Sequence, residues 1–174
     1  MSLMITIISV SIPAVREVCR YAEINKENTN LTFRIYYLGE NAKTNLDEMK
    51  EDIENADVLL TDLMGVDQTV FSIIVKSMKI CKGQRLALGG MAPSLSRLGG
   101  YDASRFRMNE TDEENLHRIN ECWKRAQYED IEYIFNMILK KYLNQDYLPD
   151  VSYNFIREGV YIKDPITNKE YDSI

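Results

Sequence analysis

The sequence contains few of the residues that bind metals or form disulfides. Its 174 residues include three cysteines and one histidine. Cys19, Cys81 and Cys122 lie about forty or more residues apart, which excludes a zinc knuckle of neighbouring thiols and gives no sign of a disulfide framework. We therefore expect reduced thiols, a cytoplasmic location and no metal site. His117 lies in a polar helical stretch, and we expect it to be a solvated helix residue.

Long apolar runs and an excess of positive charge are also absent. The longest strongly apolar run, Ile5–Val10, is far shorter than the roughly 20 residues that cross a bilayer, and no cationic segment with a cleavage site surrounds it. Lysine and arginine number 21 against 27 aspartates and glutamates, a net charge of −6. No basic patch is visible, which argues against binding held mainly by nucleic-acid phosphates. We expect a soluble protein that is not exported, spans no membrane and binds no nucleic acid.

Four β-rich segments alternate with three helical segments before Gly90. The first segment is apolar without alternation, as is typical of a strand covered on both faces. Ser11 follows it as a helix cap, with Pro13 in the first turn. This alternation predicts a parallel sheet of four or more strands with flanking helices, either Rossmann-like or flavodoxin-like. The predicted strands are Ile5–Val10, Leu31–Leu38, Val58–Asp62 and Arg85–Leu88.

The sequence changes character after Gly90. Met91–Met108 is a long connection with little periodicity, and such loops are usually functional or mobile. Thr111 and Glu114 have the spacing of a capping box, and helical periodicity follows, as one long helix or as a pair broken near Gln127–Asp130. We predict an α/β domain over residues 4–110, a helical extension packed on the sheet over 111–150, and a returning strand or a following domain over 151–174. Residues 1–3 look like a cloning remnant.

Ligands of open parallel sheets bind beyond the carboxyl ends of the strands, so those loops are the candidate sites. The sequence has neither the glycine pattern of a Rossmann dinucleotide site nor a P-loop. The loop after the first strand contains Ser11 but lacks the glycine of a flavin-phosphate loop. Asp62 ends the third strand without the acidic cluster and lysine of a receiver domain. We expect its carboxylate to accept hydrogen bonds from backbone amides of the following turn.

Glycines and arginines at the remaining strand ends are further candidates. Gly65 and Gly89-Gly90-Met91 either form tight turns or let a partner approach the backbone. Arg97, with Arg105 and Arg107, lies near Ser94 and Ser96, and these arginines either grip ligand carboxylates or are ordinary loop charges. We expect deletion of residues 94–105 to leave the core almost undisturbed. We assign no catalytic residue and no metal ligand; the binding candidates are Ser11, Asp62, Gly65, Gly89, Gly90, Met91 and Arg97.

Three segments in the same order resemble a known family. Ile5–Ser9, Ala56–Gly65 and Gly159–Tyr161 are similar to the N-terminal region of the large subunit of cobaltochelatase and of the magnesium chelatase H subunit. In that family the last segment often continues with His and Pro, where this sequence has Ile162 and Lys163. The departure weakens any metal-handling role for this tail.

The resemblance implies a role in metal insertion into a tetrapyrrole of the cobalamin type. The chain would be the N-terminal part of a longer polypeptide that uses a tetrapyrrole substrate, cobalt or magnesium, and ATP through ATPase partner subunits. This piece would bind no cofactor and catalyse nothing alone, while its sheet would frame the tetrapyrrole cavity or contact the partner subunits. A stand-alone flavodoxin-like module with a ligand-binding or regulatory role is the alternative.

Overall fold

A computed structural model describes residues 2–28, 30–40, 43–99, 108–150, 161–163 and 170–172. The elements are β1 (Leu3–Ser9), α1 (Ile12–Ile24), β2 (Leu31–Tyr37), α2 (Leu46–Glu54), β3 (Val58–Asp62), α3 (Gln68–Ile80), β4 (Gln84–Ala87), a short 3₁₀ turn (Pro93–Leu95), α4 (Glu110–Arg125), α5 (Tyr128–Leu143), β5 (Tyr161–Lys163) and β6 (Glu170–Asp172). No helix in these described ranges has the length and apolarity to cross a membrane.

The predicted parallel sheet is confirmed. Its strand order is β2-β1-β3-β4, and all three neighbouring pairs are parallel. This is the flavodoxin-like order among the doubly wound folds. The sheet begins at Leu3, whose amide donates to the Asn30 carbonyl at 2.7 Å, although we expected Leu3 to precede the folded chain.

Side chains of the central strands alternate between two hydrophobic layers. In β1, Ile5 and Ile7 contact the layer formed with α1, α4 and α5, whereas Ile8 contacts the layer formed with α2 and α3. In β3, Leu60 and Leu59 divide in the same way. All five side chains are fully buried. Successive residues of a strand point to opposite faces, so helices on both sides require the continuous apolar runs seen in the sequence.

The helical region after the loop is a pair of helices and not one long helix. Ala126 ends α4 in the left-handed conformation with φ of 52°, and α5 begins two residues later. The break therefore lies at the start of the predicted interval. The predicted cap at Thr111 is wrong, because Asn109 caps α4 by accepting a hydrogen bond from the Asp112 amide at 2.8 Å.

The first part of the connection after β4, up to residue 99, packs on the folded core along the edge of that strand. Arg97 pairs with Arg85 of β4 through two backbone hydrogen bonds of 2.8 and 2.6 Å. Leu98 is fully buried in the layer that contains α4 and α5. Our expectation that deletion of residues 94–105 would spare the core is therefore wrong, because the deletion would remove Leu98 and uncover the edge of β4.

The end of the chain is described only in part. β5 and β6 pair with each other as antiparallel strands. Both strands lie within residues 151–174, for which we predicted a returning strand or a following domain, and the rest of that segment lies outside the described ranges. Arg105 and Arg107 lie outside them as well.

Candidate functional site

The strand order places the topological switch point at the carboxyl ends of β1 and β3, and we refer to the surface there as the crevice. The chain passes from β1 to β2 on one side and reaches β3 and β4 on the other, so the connections diverge between the two central strands. Ser9 and Asp62 are register partners at this end, and the Val10 amide donates to the Asp62 carbonyl at 3.1 Å. Ligands of doubly wound sheets bind at such a switch point.

Ser11 forms one wall of the crevice as the cap of α1. Its hydroxyl accepts a hydrogen bond from the Ala14 amide at 3.4 Å, and its own amide donates to Ser9 Oγ at 2.9 Å. The predicted cap is therefore confirmed. The Ser11 hydroxyl is already hydrogen-bonded to the first turn of α1. The start of α1 therefore exposes to a ligand mainly the apolar side chain of Ile12, which is 63% exposed.

Asp62 is the buried polar centre of the crevice. Its side chain is only 7% exposed, and Oδ2 accepts a hydrogen bond from Trp123 Nε1 of α4 at 2.9 Å. We expected donors from the turn after β3, whereas this donor lies 61 residues along the chain. A buried carboxylate needs such a partner, since a lost hydrogen bond there leaves the charge unsatisfied. The contact joins α4 to the carboxyl edge of the sheet.

Two glycines after β4 lie against this centre. Gly89 has φ of +68°, and a Cβ there would lie 2.4 Å from Asp62 Oδ1, so only glycine fits without movement. A Cβ at Gly90 would lie 2.8 Å from Met64 Sδ. The Gly89 amide also donates to Asn120 Oδ1 of α4 at 3.0 Å. Close packing against Asp62 is therefore the role of Gly89, whereas Gly90 is exposed beside the Met64 side chain.

The rim of the crevice exposes apolar side chains. Met64, which follows β3, is 58% exposed, a fraction close to that of Ile12 beyond β1. Gly65 follows in a left-handed turn with φ of +86° and has no neighbour within 4 Å of a built Cβ. Gly65 thus serves the turn, and a side chain at this position would not meet Asp62.

A pocket of about 760 Å³ adjoins the crevice on the side of β4. It lies between the segment after β4 and the first half of α4, and its size is in the range of small-molecule sites. Met91 and Asn120 line it and connect it to Gly89 and Gly90. The other lining residues in the described part of the chain are Arg85, Ala87, Pro93, Ser94, Ser96, Arg97, Glu113, Leu116 and His117.

Three of the charged groups lining the pocket are Arg85, Arg97 and Glu113. The Arg85 guanidinium donates from Nε to the Leu95 carbonyl at 2.7 Å and from Nη1 to the Met78 carbonyl, which fixes it as part of the wall. Burial lowers the pKa of this guanidinium, and Arg97 beside it lowers that pKa further. Among the described lining residues, two arginines are present with one glutamate.

The structure brings most of the predicted residues together in two groups. Asp62, Gly89 and Gly90 meet in the crevice, with Ser11 on its wall, whereas Met91 and Arg97 line the pocket. Sequence reasoning missed the contribution of α4, which supplies Trp123 to the crevice and Glu113, Leu116, His117 and Asn120 to the pocket. Their spacing of three and four residues marks one helix face, but spacing alone does not indicate which edge of the sheet that face covers.

The cysteines do not provide reactive thiols at this site. Burial and, to a smaller extent, the nearby Asp130 carboxylate raise the pKa of Cys122 to about 12, and burial also raises the pKa of Cys81. Both thiols therefore stay protonated at neutral pH. Within the described part of the chain, no group of three or more His, Cys, Asp or Glu side chains is arranged to hold a metal ion.

No protein-family model, curated protein or solved structure matches this chain.

Proposed function

We propose that this chain is the N-terminal region of the large subunit of an ATP-dependent cobalt or magnesium chelatase. In this proposal the crevice binds one face of the tetrapyrrole substrate, and the chain inserts no metal alone. The ATP-using steps belong to ATPase partner subunits, and the assembly works in the cytoplasm. The order of the three segments that resemble this family motivates the proposal.

The composition of the crevice is the observation that carries the proposal. A tetrapyrrole is a broad, flat ring with apolar faces, which requires apolar contacts and close approach of the backbone. Ile12 and Met64 supply exposed apolar side chains on the two sides of the switch point, and Gly90 beside Met64 leaves backbone accessible. Such a surface suits a ring face better than a phosphate, which needs a cluster of free amides.

The single tryptophan offers a direct binding test. Trp123 is 2% exposed and hydrogen-bonded to Asp62, so a bound tetrapyrrole in the crevice would lie close enough to quench its fluorescence by energy transfer. We would titrate the 174-residue chain with a metal-free porphyrin carrying propionate side chains, and separately with FMN and with ATP. Free N-acetyltryptophanamide corrects for light absorbed by the added compounds.

Saturable quenching by the porphyrin alone is the expected result. Saturable quenching by FMN or ATP without porphyrin binding would replace the proposal by the stand-alone flavodoxin-like module. No quenching by any of the three would overturn both functions. Metal insertion by the isolated chain would contradict the proposed division of labour with partner subunits. A change in the porphyrin absorption bands would detect that insertion.

A further inference from the structure

The pocket beside β4 differs in chemistry from the crevice that it adjoins. Its floor includes the apolar side chains of Ala87, Met91 and Leu116, of which Ala87 is 6% and Leu116 7% exposed. Its described polar lining consists of hydroxyl, amide, imidazole and charged side chains. This combination suits a ligand portion that has an apolar stem and a charged end.

The polar groups lie on two elements that face each other across the pocket. Ser94, Ser96 and Arg97 belong to the segment along the edge of β4, and His117 and Asn120 belong to α4. Ser96 is held in place, since its Oγ accepts from the Ala87 amide at 2.9 Å. Arg97 is fixed through its backbone by the pairing with Arg85. The cationic wall is therefore built on a sheet edge and not on a free loop.

We infer that this pocket binds a carboxylate carried on an apolar stem and distinguishes it from the neutral amide or ester. The inference rests on the proposed function for the source of that carboxylate, which is an acidic side arm of the ring bound in the crevice. Arginine donates two parallel hydrogen bonds to a carboxylate, while an amide offers a single neutral oxygen. The pocket would then select which side arms of a tetrapyrrole are accepted as free acids.

The continuity of the two sites supports this source. Met91, which lines the pocket, comes directly after Gly89 and Gly90 in the chain. Asn120 of the pocket accepts a hydrogen bond at Oδ1 from the Gly89 amide at 3.0 Å. A ring over Gly90 would have its edge at Met91, so a side arm of two or three carbons would enter the pocket. The volume of about 760 Å³ leaves room for the arm and part of the ring edge.

Glu113 provides a second, opposite test of the same electrostatics. Its side chain is exposed and lines the pocket one turn before His117. A bound carboxylate would be repelled by Glu113 and attracted by Arg97. Replacement of each by glutamine should therefore change the affinity in opposite directions, which a purely apolar pocket would not show.

The only histidine gives a site-specific signal. We would record the imidazole ring resonances of His117 by NMR at fixed pH while adding 3-cyclohexylpropionate or 3-cyclohexylpropionamide at millimolar concentration. Arg97→Gln should weaken binding of the acid about tenfold or more, the scale of a charge-assisted hydrogen bond, and Glu113→Gln should tighten it. Arg118→Gln is the matched control, because Arg118 is the next residue on α4, pairs with Glu114 and does not line the pocket.

A second experiment compares the porphyrin that has free propionates with its amide derivative. Trp123 fluorescence reports the binding of each. We expect the acid to bind at least tenfold more tightly, with the difference abolished by Arg97→Gln. Equal affinity of the two porphyrins would overturn the inference and leave the proposed function standing. Shifts of His117 with the small acid but no porphyrin binding would retain the carboxylate pocket and refute the chelatase assignment. Equal shifts with the small acid and its amide would also overturn the inference.

Discussion

The two faces of the sheet are covered by different helices, and among the described residues α4, on one face, is the helix that bonds to Asp62 and Gly89 of the crevice. On one face α1, α4 and α5 enclose an aromatic cluster in which Tyr21 and Phe135 stack at 4.8 Å and Phe33 meets Phe135 edge-on at 5.7 Å. On the other face α2 and α3 enclose aliphatic and sulfur-containing side chains, among them Met49 and Met78. The aromatic layer is the larger of the two.

The helices of the aromatic layer connect stability to the crevice through α4. α4 contributes to the aromatic layer and also donates from Trp123 to Asp62 and accepts from Gly89 through Asn120. A perturbation of the aromatic layer should therefore reach the crevice, whereas one in the α2–α3 layer should lower stability and leave the crevice contacts in place. The following changes test that difference.

Truncation of the aromatic cluster should have the largest effect. Phe135→Ala removes the ring that contacts both Tyr21 and Phe33 and should lower the free energy of unfolding by about 4 kcal/mol. Met78→Ala in the opposite layer should cost about 3 kcal/mol, because a fully buried methionine leaves a smaller cavity. Urea unfolding followed by circular dichroism measures both. A greater loss from Met78→Ala would reverse the ranking of the two layers.

Alkaline pH should weaken the aromatic layer next. Burial raises the pKa of Tyr21, of Tyr142 and, to about 12, of Cys122. Each group holds its proton longer in the folded than in the unfolded chain, so stability is complete below the unfolded pKa and falls as pH rises above it. The decline should begin near pH 8.5 for Cys122 and near pH 10 for the tyrosines, at most about 1.4 kcal/mol per pH unit for each group.

Variants without the titrating groups identify the source of that decline. Tyr21→Phe should flatten the fall in stability above about pH 10. The same substitution at Tyr37, which lies on the edge strand β2, is the comparison. An equal slope in Tyr21→Phe and in the unaltered protein would show that the buried phenol does not cause the loss.

The sheet was predictable because its signals are local. Continuous apolar runs at β1 and β3 indicate strands buried on both faces, and the helical segments between them require parallel connections. Ser11 was found for the same reason, since a cap acts within three residues. Asn109 and Thr111 are both suitable caps two positions apart, and local chemistry does not choose between them, which is why the start of α4 was misplaced.

The site was only half predictable because its second half comes from a distant helix. Strand ends converge in any parallel sheet, so Asp62, Gly89 and Gly90 could be named from position alone. The donor to Asp62 and the acceptor for Gly89 lie on α4, and their placement depends on how α4 packs over the edge of β4. His117 was expected to be solvated, and it is exposed, but it also lines the pocket.

Loss of the indole donor should have an intermediate effect. Trp123→Phe keeps an aromatic ring in the layer but leaves Asp62 Oδ2 without its hydrogen bond of 2.9 Å, which should cost about 2 kcal/mol. Asp62→Asn in the same background should recover part of that loss, because a neutral amide is less costly to bury. Thermal unfolding measures both variants. Full stability of Trp123→Phe would show that the crevice is not coupled to the aromatic layer.

A glycine pair separates backbone strain from contact with Asp62. Gly89→Ala places an alanine at a left-handed φ of +68° and also puts its Cβ 2.4 Å from Asp62 Oδ1. Gly65→Ala places an alanine at a left-handed φ of +86° without such a contact. We expect Gly65→Ala to cost about 1 kcal/mol and Gly89→Ala about 2 kcal/mol. Denaturant titration of the two variants gives the difference. Equal costs would mean that Asp62 moves freely, contrary to its role as the fixed centre of the crevice.

The smallest effect on stability should accompany a loss of binding at the rim. Met64→Gln replaces a side chain that is 58% exposed, so the free energy of unfolding should change by less than about 0.5 kcal/mol. Porphyrin affinity, measured by Trp123 fluorescence, should fall severalfold, because the ring loses an apolar contact. Ile80→Gln is the matched control, since Ile80 is 57% exposed at the end of α3, beside the amino ends of the strands. Equal affinities in the two variants would show that exposed apolar surface at the crevice does not contribute to the site, and the contrast between the two ends of the sheet would then have no functional meaning.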